Sequence, residues 1–301
     1  MDERNAPLLL PDGNDRNEEI EETQSRVIIP KRTIIVEPLL ISFIFFTLPS
    51  SMVSSQYILS TYRYELGVNF TMNHSLCNQT DSDDPMRQLE AEAQSKAAYF
   101  SLWLDLIQGI PSAIIGLFLG NYSDKAGRKF AIVPPCIGLI FKCLSFVLVI
   151  WLKANIFFLF IGAFLDGLCG SFTTLLCGCL AYVSDITTIE KRTFRITVVE
   201  MCMILPSAIS AIATGYLIRA SGYLPPFIIM LIGVALCTVY AILFIPETIV
   251  KEENVKFASI GYLKEAFCIY FRDNGQGRSV YLILLMCSLI GPLLVAFSNG
   301  S

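Results

Sequence analysis

Seven apolar runs constrain the fold of this chain more than any other feature. They cover residues 34–60, 97–119, 131–152, 156–183, 194–218, 225–245 and 280–297. Each is close to the ~20 residues that an α-helix needs to cross the hydrocarbon core of a bilayer. Hydrophobic residues make up 54% of the chain and charged residues only 16%, so a water-soluble fold of this size could not bury its apolar surface. The pattern predicts an all-α membrane protein with about seven transmembrane helices.

The spacing of these runs divides the chain into four parts. Residues 1–33 are polar and acidic and are predicted to be a disordered cytosolic tail. Residues 34–246 hold six runs and are predicted to form a six-helix bundle. Residues 247–279 are predicted to be a cytosolic linker, in which apolar residues at helical spacing fit a surface helix and an ordinary linker equally well. We expect residues 280–301 to be the truncated start of a second bundle.

Two independent signals predict the orientation in the membrane. The segment 61–96 contains three N-x-[ST] sequons, which begin at Asn69, Asn73 and Asn78. Because N-glycans are added only on the outer or lumenal side, this segment is expected to be an extracellular or lumenal glycosylated loop. Lys and Arg concentrate in the connections that would then face the cytosol, as the positive-inside rule requires. The tail is therefore expected in the cytosol.

The connection between the second and third runs carries the most specific motif. Residues 120–129 read GNYSDKAGRK, in which Gly120, Asp124, Gly127 and Arg128 stand at fixed intervals. This resembles the signature of the major facilitator superfamily, Gly-x-x-x-Asp-[Arg/Lys]-x-Gly-[Arg/Lys]-[Arg/Lys], and it lies in the expected connection. The resemblance implies the N-terminal six-helix bundle of that fold plus a seventh transmembrane helix.

Further segments narrow the resemblance to one family. They are VEPLL at 36–40, QY at 56–57, GSFTT at 170–174, AYVSD at 181–185 and RTFRI at 192–196. Together with the sequons, they resemble the proton-coupled folate transporter and thymic stromal cotransporter family. The likeness runs from about residue 34 to the end. Members of that family have twelve helices, so the chain would cover the first seven, and a full-length form would carry the missing C-terminal half.

The resemblance implies roles for several charged residues. Asp124, Arg128 and Asp185 would form a conformational latch on the cytosolic side, with Gly120 and Gly127 shaping the connection. Glu200 matches a glutamate that couples protons in the folate-transporting member. An alternative reading is that Glu200 pairs with Arg195 or Arg192 near the membrane surface.

The chain also departs from the folate-transporting member. That member has an arginine where Ala163 stands here, and it uses histidines in the linker and in the seventh helix. The one histidine of this chain, His74, lies among the sequons. The family therefore carries over to this chain, whereas the substrate does not.

Other polar residues in the apolar runs are candidates for a proton or substrate cavity. Asp105, Lys142 and Asp166 are each costly to place in lipid, by roughly 2.5–3.5 kcal/mol at the centre of a helix. Lys142 and Asp166 are both predicted near mid-membrane, where they would either serve transport or neutralise each other as a pair. Gln56 on the first run, and Ser207, which lies seven residues after Glu200 on the same helical face, complete the candidate set.

These observations predict a solute transporter rather than an enzyme. We expect proton-coupled import, by alternating access, of a small organic solute that is folate-like or otherwise anionic. The alternatives are a truncated, non-transporting or regulatory form and, less favoured, a seven-helix receptor. The chain has no Cys-x-x-Cys pair and a net charge of −4, so we expect no metal, cofactor or nucleic acid. The expected partners are substrate, protons and the bilayer, with the plasma membrane favoured over endolysosomal membranes.

Overall fold

The structure, a computed structural model, describes residues 36–67 and 85–247, and within them the fold is entirely helical. The helices are α1 (Val36–Glu65), α2 (Pro85–Ala126), α3 (Lys129–Leu152), α4 (Leu159–Leu168), α5 (Ser171–Asp185), α6 (Ile189–Ser221) and α7 (Leu224–Phe244). A 3-10 turn, Ile156–Phe158, precedes α4. Because α4 and α5 share one span, six spans are long and apolar enough to cross a membrane. The all-α membrane fold is confirmed. The N-terminal tail, the sequons, the linker from 248 onward and the seventh run lie outside the described residues.

Helix boundaries follow local chemistry rather than the edges of the apolar runs. The α2–α3 turn contains Gly127 at φ +123°, a left-handed conformation that glycine adopts without steric cost. At the other end of the bundle, α1 continues to Glu65 and α2 begins at Pro85. Arg63 donates to Glu90 there with an Nε–Oε1 distance of 2.9 Å, which ties the two helices together. Helix therefore extends into both ends of segment 61–96, which was expected to be an outer loop.

Close helix pairs build the bundle. α3 packs on α7, α1 packs on α6, and α2 packs on α4. Phe146 of α3 stacks on Phe227 of α7 with ring centroids 4.6 Å apart, and both side chains are buried. Gly167 brings α4 against α2 so closely that a Cβ there would lie 2.4 Å from the carbonyl oxygen of Gln108. In lipid such close backbone approach, rather than hydrophobic exclusion, supplies much of the attraction between helices.

Two helices are much less covered than the others. In the most apolar window of each span, 17% of residues in α2 and 18% in α6 are buried inside the protein, against 39–50% in the other four. Large apolar side chains such as Trp103 and Ile110 of α2, and Leu205 and Ile212 of α6, are exposed. Within the described part of the chain, α2 and α6 therefore present broad apolar faces to lipid or to a further bundle.

Candidate transport site

A groove with a cavity of about 660 Å³ runs along α2 and α5, and α3 contributes to its wall. Its polar lining includes Asp105, Gln108 and Ser112 of α2, Lys142 of α3 and Ser171 of α5. Most of the surrounding bundle is apolar. Ionisable and hydrogen-bonding side chains inside a membrane bundle are costly and usually mark a pathway for ions or solutes. Of the residues predicted for a proton or substrate cavity, Asp105 and Lys142 meet in this groove, and Gly120, Asp124 and Arg128 of the predicted latch line it as well.

A hydrogen-bond chain crosses the groove and joins three helices. The Lys142 ammonium donates to Gln108 Oε1 over 2.6 Å, and Gln108 Nε2 donates to Ser171 Oγ over 2.8 Å. A lysine ammonium can only donate, so it fixes the amide with its oxygen toward α3 and its NH₂ toward α5. These hydrogen bonds therefore hold the Lys142 ammonium in a defined position at the groove wall.

The fourth span breaks at Ser171, the last residue of this hydrogen-bond chain. Gly170 has φ +97° and Ser171 has φ +57°, so α4 stops and α5 starts again within the span. The Gly170 carbonyl accepts a hydrogen bond from Ser112 Oγ at 2.8 Å. Irregular backbone at membrane depth is tolerated only where protein groups or a polar cavity satisfy it. The break thus places the N-terminus of α5 at the wall of the groove.

Asp166 of α4 is not among the residues that line the groove, and it is 2% exposed. It packs against α3, where its Oδ1 would be 2.9 Å from a Cβ on Gly138. Oδ1 has no hydrogen-bond partner among the described residues. The hypothesis that Lys142 and Asp166 form a direct ion pair does not describe this structure, because the Lys142 amine points to Gln108 instead. Lys142 and Asp166 nevertheless interact electrostatically.

A second group of charges surrounds the α2–α3 connection, and we call Asp124, Arg128, Asp185 and Glu247 the charge cluster. Arg128 Nε donates to Asp185 Oδ2 at 2.7 Å, and its Nη1 donates to Asp124. The Arg128 and Asp185 side chains are only 12% and 17% exposed. Burial alone would lower the pKa of Arg128, but the two carboxylates outweigh it, so the pKa is raised and the residue stays charged. Three residues assigned to a latch are thus in contact.

Glu247 was not predicted from the sequence. It follows the last turn of α7, and its Oε1 accepts a hydrogen bond from the backbone N–H of Arg128, at the start of α3. A Cβ on Gly127 would lie 2.5 Å from the Glu247 carboxyl carbon, so this contact requires glycine. The sequence signal was a Pro-Glu pair, Pro246 and Glu247, directly after the sixth apolar run.

The remaining candidate residues lie outside the groove. Glu200 is exposed on α6, Gln56 is exposed on α1, and Ser207 Oγ donates to the carbonyl of Ile204 in its own helix. Among the described residues, the ion pair and hydrogen bond seen for Arg195 and Arg192 go to groups other than Glu200.

Those two cations have other partners. Arg195 pairs with the buried Glu37 of α1, and Arg192 donates to the carbonyl of Ser184 at 3.2 Å. The coupling role of Glu200 stays a prediction, and the sequons Asn69, Asn73 and Asn78 lie outside the described residues.

Comparison with known proteins agrees with this architecture. The sequence profile of the Major Facilitator Superfamily matches residues 89–299. The proton-coupled folate transporter of Rattus norvegicus is 25% identical over 266 residues, which cover 87% of this chain and 56% of the relative. The lysosomal proton-coupled steroid conjugate and bile acid symporter of Gallus gallus is 28% identical over 284 residues, covering 90% of this chain and 60% of the relative.

The chain thus spans somewhat more than half the length of the relatives it matches, and the matched region contains the groove and the charge cluster. These proteins are transporters, not enzymes. The chain therefore belongs to the major facilitator superfamily, and the similarity to the proton-coupled folate transporter family, indicated by its sequence motifs, is confirmed.

Proposed function

We propose that this chain is the N-terminal bundle of a proton-coupled symporter that imports a small organic anion by alternating access. The observation that carries this proposal is the groove, in which Lys142 offers a cation at membrane depth. The names of the relatives include folate, steroid conjugates and bile acids, and their coupling ion is the proton. An anion crossing an apolar bundle needs such a cation to offset the loss of its hydration.

The charge cluster fits the role of a latch between two transport states. Arg128 and Asp185 connect the α2–α3 turn to the end of α5, at the end of the groove that Asp124 and Arg128 also line. In alternating access, two bundles rock about a central site, and charges at one end bias which state is populated. The exposed apolar faces of α2 and α6 supply the surface on which a second bundle would move.

The test compares this 301-residue chain with a form extended by the remaining helices of the second bundle, both in proteoliposomes. With an inward proton gradient, the extended form should accumulate tritiated folate or a tritiated bile acid. Glu200→Gln should weaken accumulation but leave solute exchange largely intact, because exchange moves no net proton. Asp124→Asn should slow both, because it disturbs the equilibrium between states. Accumulation by the 301-residue chain alone would contradict the half-transporter assignment.

A further inference from the structure

We propose that the charged group of the organic anion binds at the broken fourth span, between Lys142 and the N-terminus of α5, and that the protonation of Asp166 controls this binding. The inference rests on the proposed function, and it names the recognition site and a coupling group within it. It puts the anion and the deprotonated Asp166 carboxylate in competition for a single lysine.

The geometry of the groove supports an anion at this point. Lys142 supplies a cation, held by Gln108, and Gln108 is held in turn by Ser171 in the first turn of α5. Because α5 starts inside the span, the backbone N–H groups of its first turn have no carbonyl acceptor within the helix. A half-helix N-terminus at membrane depth attracts anionic groups of a solute, and here it shares a cavity with a lysine.

Asp166 is the group that can draw the Lys142 amine away from the anion site. Its carboxyl group is buried against Gly138 of α3, and its Oδ1 has no hydrogen-bond partner among the described residues. A carboxylate in that position is costly unless a cation pairs with it, whereas the neutral acid is tolerated. The observed arrangement, with Lys142 bonded to Gln108, fits a neutral Asp166 and a lysine free for an anion. Deprotonation would draw the amine away from the groove.

Few other titratable groups interact with this pair. The thiols of Cys143 on α3 and Cys169 beside the break interact electrostatically with Asp166, but thiols are mostly uncharged near neutral pH. Asp105 of α2 lies in the groove and interacts with Lys142. It is therefore the main competitor for the coupling role assigned here to Asp166.

The sign of the coupling follows from this competition. A bound proton on Asp166 frees Lys142 and strengthens anion binding, and by reciprocity a bound anion strengthens proton binding. Anion affinity should be highest at low pH and should fall as pH rises through the titration of Asp166. This is the thermodynamic linkage that a symporter needs.

Equilibrium binding of tritiated taurocholate and tritiated folate to the purified full chain in lipid nanodiscs tests the proposal. For the wild type, affinity should fall by up to about tenfold per pH unit as the pH rises through the titration of Asp166. Asp166→Asn, which mimics the neutral acid, should bind tightly with no pH dependence. Lys142→Gln should lose about tenfold or more at every pH.

Matched controls separate these effects from damage to the fold. Glu190→Gln removes an exposed acid at the start of α6, and Lys153→Gln removes an exposed lysine from the end of α3. Both should bind like the wild type. The infrared carbonyl stretch of a protonated carboxylic acid gives a second readout. The band of protonated Asp166 should decrease as pH rises in the wild type, and the midpoint of this decrease should shift to higher pH when anion is bound. The band should be absent from Asp166→Asn.

The outcomes distinguish this inference from the proposed function. If Asp166→Asn keeps the wild-type pH profile while Asp105→Asn or Glu200→Gln abolishes it, the coupling assignment is overturned and the symport function stands. If Lys142→Gln binds like the wild type, the recognition site is overturned. If the wild type binds neither probe at any pH, both the proposed function and this inference fail.

Discussion

At the scale of single residues, the charge cluster shows how one arginine organises a turn. Arg128 joins Asp185 and Asp124 through its guanidinium, while its backbone N–H is accepted by Glu247. The two ion pairs differ in environment, because the Asp185 side chain is 17% exposed and that of Asp124 is 56% exposed. Their energetic contributions should differ accordingly.

Arg128→Ala should therefore destabilise the bundle more than Asp124→Asn does. The first change leaves Asp185 without its cation, at a cost of about 1–3 kcal/mol after allowance for its partial exposure. The second loses an exposed pair, worth about 0–1 kcal/mol. Unfolding of the detergent-solubilised protein, followed by its melting temperature, measures both. Lys96→Ala, which breaks the exposed Lys96–Glu92 pair of α2, is the control and should leave the melting temperature unchanged.

Gly127 offers a second prediction at this scale. An alanine there would be held at φ +123°, at a cost of about 1–2 kcal/mol, and would push Glu247 away from its contact. Gly127→Ala should lower the melting temperature, and in a Glu247→Ala background the loss should shrink to the backbone strain alone. Gly215→Ala, where a Cβ meets nothing within 4 Å, should cause no loss. An equal loss in both glycine variants would contradict this reading of the turn.

At the scale of elements, the close contact of α2 with α4 positions the groove. Gly167 sits against the backbone of Gln108, whose side chain holds Lys142. Gly167→Ala should force the two helices apart, because a backbone carbonyl cannot move aside as a flexible side chain would. The expected cost is about 1–3 kcal/mol, as for other overpacked contacts.

Melting temperature and anion binding should fall together in Gly167→Ala. Gly109→Ala, on α2 but facing open space, should leave the melting temperature unchanged. A Gly167→Ala protein with unchanged stability would show that the backbone contact does not hold these helices together.

Sequence patterns predicted the six spans well and their interruptions poorly. Hydropathy locates a span because every lipid-exposed helix must be apolar, but it carries no signal for a break such as that at Gly170. It also cannot show that α1 continues to Glu65, since polar residues held by the Arg63–Glu90 pair can extend a helix past the membrane.

The site was likewise predicted in part. The resemblance to a family predicted the contact among Asp124, Arg128 and Asp185. Glu247 belonged to no recognised motif. Whether Lys142 bonds to Asp166 or to Gln108 depends on side-chain packing, which residue spacing along a helix does not determine.

At the scale of the whole molecule, orientation in the membrane is the first property to test. If segment 61–96 faces outward, the sequons at Asn69, Asn73 and Asn78 should carry glycans in eukaryotic cells. Glycosidase treatment should then lower the apparent mass, and Asn→Gln changes at all three sites should remove that shift. An unchanged mass, together with an N-terminal epitope exposed on intact cells, would reverse the orientation.

The most direct test of the account is whether this chain takes up a proton when it binds an organic anion. The measurement adds taurocholate or folate to the purified chain in weakly buffered solution near neutral pH and records the change in pH. The account predicts net proton uptake in proportion to the anion bound, and none from Lys142→Gln or Asp166→Asn. Anion binding without proton uptake would contradict the claim that this bundle couples the two.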